Sequence, residues 1–235
     1  VRDAAFALNI TAAPDIRAWT SLPREARDWT EGLDDPKLNL RGVRIAFSPT
    51  LYGIQVHPEI AQAVANAVKV FTEQGATVVK VDRVIEDPTP ILAALAAERA
   101  ARLVREIGPK GLELVDPSIR NSVENAQGIS IANLVEAQVR RAALAVQLRK
   151  FHQQYDLLVT PVQSQPVSKR GIAPQTPFLS AFNLTQQPAA SVPIGFDSNG
   201  LPIGLQIVGP SLGDAAVLRA ARAFELIKPF ARITG

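Results

Sequence analysis

The chain has 235 residues, 47% hydrophobic and 20% charged, and can bury the core of one large α/β domain or two small ones. The formal net charge is +3, and the charged residues are distributed along the chain without runs of like charge. No segment approaches the roughly 18 unbroken apolar residues of a membrane span. The lack of cysteine excludes disulfides, thiol nucleophiles and sulfur-ligated zinc, and two histidines leave little room for a metal cluster. We expect a soluble protein with no metal or cofactor site and no nucleic-acid or membrane partner.

The first third of the chain is predicted to contain a βαβ unit. Apolar spacing predicts a helix over residues 1–9, and because neither a methionine nor a capping residue precedes it, we expect the chain to begin inside an element of something longer. Trp19 and Trp29 are expected to pin the following polar stretch to a core. A strand, a helix and a second strand are then predicted over residues 42–48, 58–75 and 77–81. Their short connections favour parallel strands.

The rest of the chain alternates helical and strand patterns. We predict helices over residues 88–108 and 130–155, a buried strand over 156–161, a loop over 163–175, and hairpin strands over 189–196 and 203–208. Asn199 and Gly200 are expected to supply the positive φ angles of a tight turn, and Asp214 to be the N-cap of a final helix. Together these elements predict an α/β fold with a mixed sheet.

Taken alone, the residues show no complete active site. Phosphate-binding glycine loops and the usual serine-hydrolase motifs are absent from the sequence. Ser168 and Lys169 form the only adjacent Ser–Lys pair, but a lysine base must be desolvated, and this one lies in a polar loop beside Arg170. His57 is expected to be a surface or capping residue, and His152 to lie on a solvated helix face or to interact with the helix dipole.

Two segments of the second half carry a resemblance to a known family. Residues 182–196, FNLTQQPAASVPIGF, and 200–209, GLPIGLQIVG, closely resemble the C-terminal end of amidase signature enzymes. YDLLVTP at 155–161 is similar to the family's strand ending in Thr-Pro, and RDAA at 2–5 to the helix after its catalytic core. The resemblance identifies residues 1–235 as the C-terminal portion of a single amidase signature domain, an α/β fold with a large mixed β-sheet flanked by helices.

This resemblance implies amide hydrolysis by a Ser–cis-Ser–Lys mechanism that needs no cofactor. Its catalytic residues would lie upstream of residue 1, so none is assigned here, and this segment alone is expected to be inactive. Substrate-binding residues are expected at a strand end and ahead of the hairpin, namely Thr160, Pro161, Phe178, Phe182 and Asn183. The alternative is that both phenylalanines are core residues and that Asn183 fixes the turn backbone.

Two departures from the family bear on function. Many relatives have glycine where Gln186 stands, and the A subunits of amidotransferases have an acidic residue where alignment puts Thr176. The missing carboxylate favours a general cytoplasmic amidase that converts a small amide to an acid and ammonia, with the upstream catalytic half of the same enzyme as its partner. The alternatives are the A subunit of a tRNA-dependent (Glu/Asp) amidotransferase and a non-catalytic structural or binding fragment. Whether the protein is a homodimer stays open.

Overall fold

The computed structural model describes residues 1–23, 25–126, 128–166 and 177–230. These residues form seven helices and five strands, in the chain order α1 (Arg2–Thr11), β1 (Arg44–Phe47), α2 (Pro58–Glu73), β2 (Thr77–Lys80), α3 (Thr89–Leu114), α4 (Pro117–Ala126), α5 (Ile131–Phe151), β3 (Leu157–Pro161), α6 (Ser180–Thr185), β4 (Ala189–Phe196), β5 (Pro202–Val208) and α7 (Asp214–Ile227).

The five strands form one mixed sheet with the order β2-β1-β3-β5-β4. Strand β1 pairs in parallel with β2 and with β3, which confirms the predicted βαβ unit. Strand β5 pairs antiparallel with both β3 and β4, and β4–β5 is the predicted hairpin. The predicted fold class, α/β with a mixed sheet flanked by helices, is therefore confirmed.

Helices cover both faces of this sheet, because apolar residues alternate along its central strands. Ile45, Leu157 and Val159 pack in one core with residues of α2 and α7. Ala46 and Leu158, the intervening residues, pack on the opposite face with residues of α3, α5 and α6. The two faces of β1 and β3 are thus buried by different helical layers.

The largest departures from the predicted helices lie between α3 and α6. Helix α3 breaks at Gly108, where φ is 66° and ψ is 179°, and Pro109 then starts a further short helical stretch to Leu114. The predicted end at residue 108 therefore marks a break inside α3. Helices α4 and α6 were not predicted, and α5 ends at Phe151, four residues earlier than expected.

Three local predictions are wrong. Trp19 is 94% exposed and pins nothing, whereas Trp29 does pack against a small core formed by Ala5, Leu33 and Leu218. In the hairpin turn Gly200 has a positive φ, 77°, but Asn199 does not. The turn is a four-residue turn closed by Gly200 N–H, which donates to Asp197 O. Asp214 is the first residue of α7, and Gly213 is its N-cap.

No helix within the described ranges combines the length and the apolar character that crossing a membrane requires.

The pairing of Phe71 and Phe224 joins α2 to α7 over the sheet, with ring centroids 5.6 Å apart. Both rings are buried, so Phe224→Ala leaves a cavity, and we expect it to lower the free energy of unfolding by about 3–5 kcal/mol. Leu226→Ala is the matched control on the same helix, because Leu226 is 48% exposed, and its effect should stay within about 0.5 kcal/mol. Urea unfolding measures both, and equal losses would contradict this account of the core.

Candidate functional site

The carboxyl ends of the parallel strands β1, β2 and β3 meet at one edge of the sheet. The buried Ser48 follows β1 there, and its Oγ accepts from Leu51 N–H at 3.1 Å and donates to Asp82 O at 3.3 Å. Thr50 Oγ1 also donates to Asp82 O, at 2.5 Å. These hydroxyls hold the loops after β1 and β2 together, and the edge is where α/β folds commonly bind ligands.

Thr160 lies at the end of β3 and is fully buried. Its Oγ1 donates to Pro161 O at 2.8 Å and accepts from Gln206 Nε2 at 2.9 Å. The same Gln206 nitrogen donates to Phe178 O at 3.1 Å. One buried carboxamide on β5 therefore ties the end of β3 to the segment that precedes α6.

Gln206 was missed by the sequence analysis, although a signal for it exists. It is the one polar residue in the apolar run from Ile203 to Val208, and it is 2% exposed. A buried amide has to be hydrogen-bonded, so its place in that run predicts a specific partner. The sheet register supplies this partner by setting Thr160 opposite Gln206, which the sequence alone does not reveal.

The five predicted substrate-binding residues do not share one environment. Pro161 is buried beside Thr160, and Phe178 and Phe182 are buried in the core between the sheet and the helices α3, α5 and α6. Asn183 is exposed on α6, where its backbone N–H donates to Leu179 O. The structure thus brings Thr160, Pro161 and Phe178 together through Gln206 and leaves Asn183 facing outward. Their role in binding substrate stays a prediction.

Two partly buried side chains near this edge carry polar atoms that are buried without a hydrogen-bond partner among the described residues, His57 Nδ1 and Gln163 Nε2. Their segments are joined, because His57 N–H donates to Ser164 O at 2.8 Å. His57 does occupy the N-cap of α2, but its side chain makes no capping bond. Buried polar atoms normally have partners, so both atoms can still bind a ligand or a further segment of protein.

His152 lies at the opposite end of β3, at the C-cap of α5. Its Nδ1 is 3.1 Å from Tyr155 O, and a cavity of about 320 Å³ lies between it and the polar residues Arg149, Thr185 and Gln187. Burial lowers the pKa of the imidazole, while the Tyr155 carbonyl and the Asp156 carboxylate act in the opposite direction. The ring is half-buried, so it does not lie on a solvated face.

The Ser168–Lys169 pair and Thr176 lie outside the described residues. Among those that are described, no group of three or more His, Asp or Glu is arranged to hold a metal ion. The hydroxyls of Ser48, Thr50 and Thr160 at the sheet edge each donate to a backbone carbonyl. These residues can therefore shape and line a binding site.

Gln186 ends α6 in the left-handed conformation, with φ 58° and ψ 40°, and its N–H donates to Phe182 O. This conformation strains residues that carry a Cβ and is where glycine is preferred. A glycine at this position would avoid that strain.

The sequence is similar to known proteins over most of its length. The family model described as Amidase matches residues 1–218. The chain is 30% identical to the A subunit of the glutamyl-tRNA(Gln) amidotransferase of Marinobacter nauticus, over 96% of this chain and 52% of that protein. It is 31% identical to the corresponding protein of Thermosynechococcus vestitus, over 98% of this chain and 54% of that protein.

Similar solved structures agree with these sequence matches. A bacterial aryl acylamidase of the amidase signature enzymes superposes with a TM-score of 0.82 and 26% identity, over 97% of this chain and 51% of that one. The A subunit of the Thermotoga maritima glutamyl-tRNA(Gln) amidotransferase superposes with a TM-score of 0.72 at 23% identity, over 98% of this chain and 52% of that one, a likeness of fold. The chain spans about half the length of the relatives it matches.

We expect Gln206→Leu to destabilise the protein by about 1–3 kcal/mol, because Phe178 O loses its donor while it remains buried. Gln55→Leu is the matched control, since Gln55 is exposed in the loop between β1 and α2, and its effect should be within about 0.5 kcal/mol. Chemical unfolding measures both, and an unchanged stability of Gln206→Leu would show that the amide does not join β3 to α6.

We expect Gln186→Gly to stabilise the protein by about 1 kcal/mol, since it relieves a side chain held at positive φ. Asn183→Gly, three residues earlier within α6, should instead cost about 0.5–1 kcal/mol, because glycine weakens a helix interior. Thermal unfolding of the two variants should therefore shift in opposite directions, and a shared direction contradicts the left-handed cap.

Proposed function

The chain belongs to the Amidase family, and from this membership we propose that it is the C-terminal portion of a single amidase signature domain in a cytoplasmic amidase. The reaction adds water across the C–N bond of a small carboxylic amide and yields the acid and ammonia. The observation that carries this proposal is the family match over residues 1–218, together with the close superposition on an aryl acylamidase.

The chemistry of bond cleavage is assigned to the upstream half of the same enzyme. A Ser–cis-Ser–Lys mechanism needs a serine nucleophile and a lysine that relays its proton. At the sheet edge of this chain, Ser48, Thr50 and Thr160 donate their hydroxyl protons to backbone carbonyls, so they serve the scaffold. This segment alone is accordingly proposed to be inactive.

The role proposed for this half is to form one wall of the acyl pocket. Gln206 fixes the end of β3 relative to the segment before α6, and the packing of Phe178 and Phe182 holds that segment rigid. Such support allows a side chain on α6 to be placed accurately. Asn183 is the member of the predicted set that is free to reach a substrate, because its side chain is exposed.

Strand β4 offers a place for the upstream half to attach. It stands at the edge of the sheet, and its first half, residues 189–192, precedes the irregular pairing between Pro193 and Gly195 and has no second strand partner among the described residues. An unpaired stretch of edge strand can pair with a further strand. We therefore propose that the junction between the two halves runs along β4.

A second candidate is the A subunit of a tRNA-dependent amidotransferase. It is favoured by curated relatives that are A subunits of glutamyl-tRNA(Gln) amidotransferases and are 26–31% identical to this chain. It is disfavoured by Thr176, which stands where those proteins are expected to carry the acidic residue that holds the amino group of glutamine.

The test begins with the intact mass of the protein purified from its native source, with ammonia release and serine labelling by a fluorophosphonate measured on the same sample. A labelled serine upstream of residue 1, with ammonia released from a small amide, supports the amidase. Ammonia release from glutamine that requires tRNA together with a co-purifying protein supports the second candidate. We expect the labelled serine upstream of residue 1, whereas neither label nor turnover in the native protein would mean a non-catalytic fragment.

The wall itself is tested in the active native protein by Asn183→Ala. We expect this change to raise KM by about tenfold, because it removes a contact with the bound amide. Asn199→Ala, at the exposed hairpin tip, is the matched control and should leave KM unchanged. If both variants have the KM of the unchanged enzyme, Asn183 does not contact the substrate.

A further inference from the structure

Arg141 joins helix α5 to the last turn of α6. Its Nε–H donates to Leu184 O at 2.6 Å, across 43 residues of sequence, and the contact is partly buried. The neighbouring Arg140 is instead exposed and pairs with Glu136 at 2.8 Å. In the part of the chain that the structure describes, Arg141 has no carboxylate partner, so the α6 carbonyl is the acceptor that its charge contacts.

The last turn of α6 depends on a donor from outside the helix. The last four carbonyls of a helix have no N–H partner within it, and Leu184 O is one of them. The residue four positions later is Pro188, which has no N–H to donate, and Leu184 itself is buried. A cation at this end is also attracted by the negative end of the helix dipole. The Arg141 bond therefore satisfies a carbonyl that the α6 backbone cannot.

Asn183 lies between two ties of this kind. Ahead of α6, Gln206 Nε2 donates to Phe178 O at 3.1 Å. At the end of α6, Arg141 is bonded to Leu184, the residue that follows Asn183. Helix α6 has only six residues, and isolated helices shorter than about 12–15 residues are marginal in water. The direction in which Asn183 points is therefore set by the contacts that hold the two ends of α6.

We propose that Arg141 is a positioning residue, which fixes the last turn of α6 and thereby holds the Asn183 side chain in place to contact the substrate. This inference rests on the proposed function, which assigns Asn183 to the wall of the acyl pocket. Arg141 itself contacts the α6 backbone and acts on the substrate through Asn183. A contact that is ordered before the substrate arrives costs less to form, so losing the tie weakens binding.

Hydrogen exchange of the native protein measures whether the tie orders α6, and it needs no substrate. We expect Arg141→Met to speed exchange at least about fivefold at the hydrogen-bonded amides of Asn183, Gln186 and Gln187, while the amides of β3 keep their rates. Arg140→Met is the matched control, because it removes a guanidinium from the same helix at an exposed position. Unchanged α6 rates in Arg141→Met would overturn the proposal.

Substrate affinity measures whether the tie acts through Asn183. In the active native protein we expect Arg141→Met to raise KM about three- to tenfold with little change in kcat. A variant that had only lost stability would lower the active fraction, and hence kcat, without this change in KM. In the Asn183→Ala background, Arg141→Met should leave KM as it is, because the side chain that it positions is already gone. Arg141→Lys keeps a charged donor and should restore most of the affinity, and Arg140→Met should have the KM of the unchanged enzyme.

The outcomes separate this inference from the function on which it rests. If Asn183→Ala raises KM and Arg141→Met does not, Asn183 keeps its place in the wall and the positioning role fails. Effects on KM that multiply in the double variant would also overturn the role, because the two residues would then act independently. Absence of turnover in the native protein, or a KM indifferent to Asn183→Ala, would overturn the proposed function and the positioning role with it.

Discussion

Strand β3 carries the structural constraint on which the rest of the fold depends. All five of its residues are buried, so each face must be covered by a helical layer and each edge by a strand. Its neighbour β1 is parallel and its neighbour β5 is antiparallel, and the direction of the sheet therefore changes at β3. The change sets the end of β3 opposite Gln206 on the returning strand, and this pairing creates the buried contact between the sheet and the segment before α6.

The predictable part of the fold is the part that periodicity determines. Helix α2 has its buried face at Ile60, Val64 and Phe71, and β1, β2 and the hairpin strands each contain a short apolar stretch, so their existence and order follow from the sequence. Helix α6 has six residues and α4 buries none of its described residues, so neither has the long apolar period that would predict it. The exposure of Trp19 shows that residue type alone does not predict burial, because a large aromatic residue is buried only where a core lies within reach.

The candidate site was harder to predict, and the reasons differ by residue. Phe178 and Phe182 are four residues apart, a spacing that suits a packed helix face and a ligand pocket equally well. Their burial in the core and the exposure of Asn183 depend on how α6 docks on the sheet, which is a tertiary property. Gln206 depends on strand register, and register is set by packing across strands that are distant in sequence.

The break at Gly108 divides α3 into parts of unequal stability. Before it, Ile91, Ala94, Ala97 and Ala100 are buried, whereas beyond it no residue with a described side chain is buried as far as Ala126. Local opening costs little free energy where few apolar contacts are lost, and a chain that already leaves helical geometry at one residue has a natural boundary for such opening. The stretch from Pro109 to Ala126 is therefore expected to unfold as a unit of its own, with faster amide hydrogen exchange and earlier proteolytic cleavage than the sheet, while the folded core stays intact.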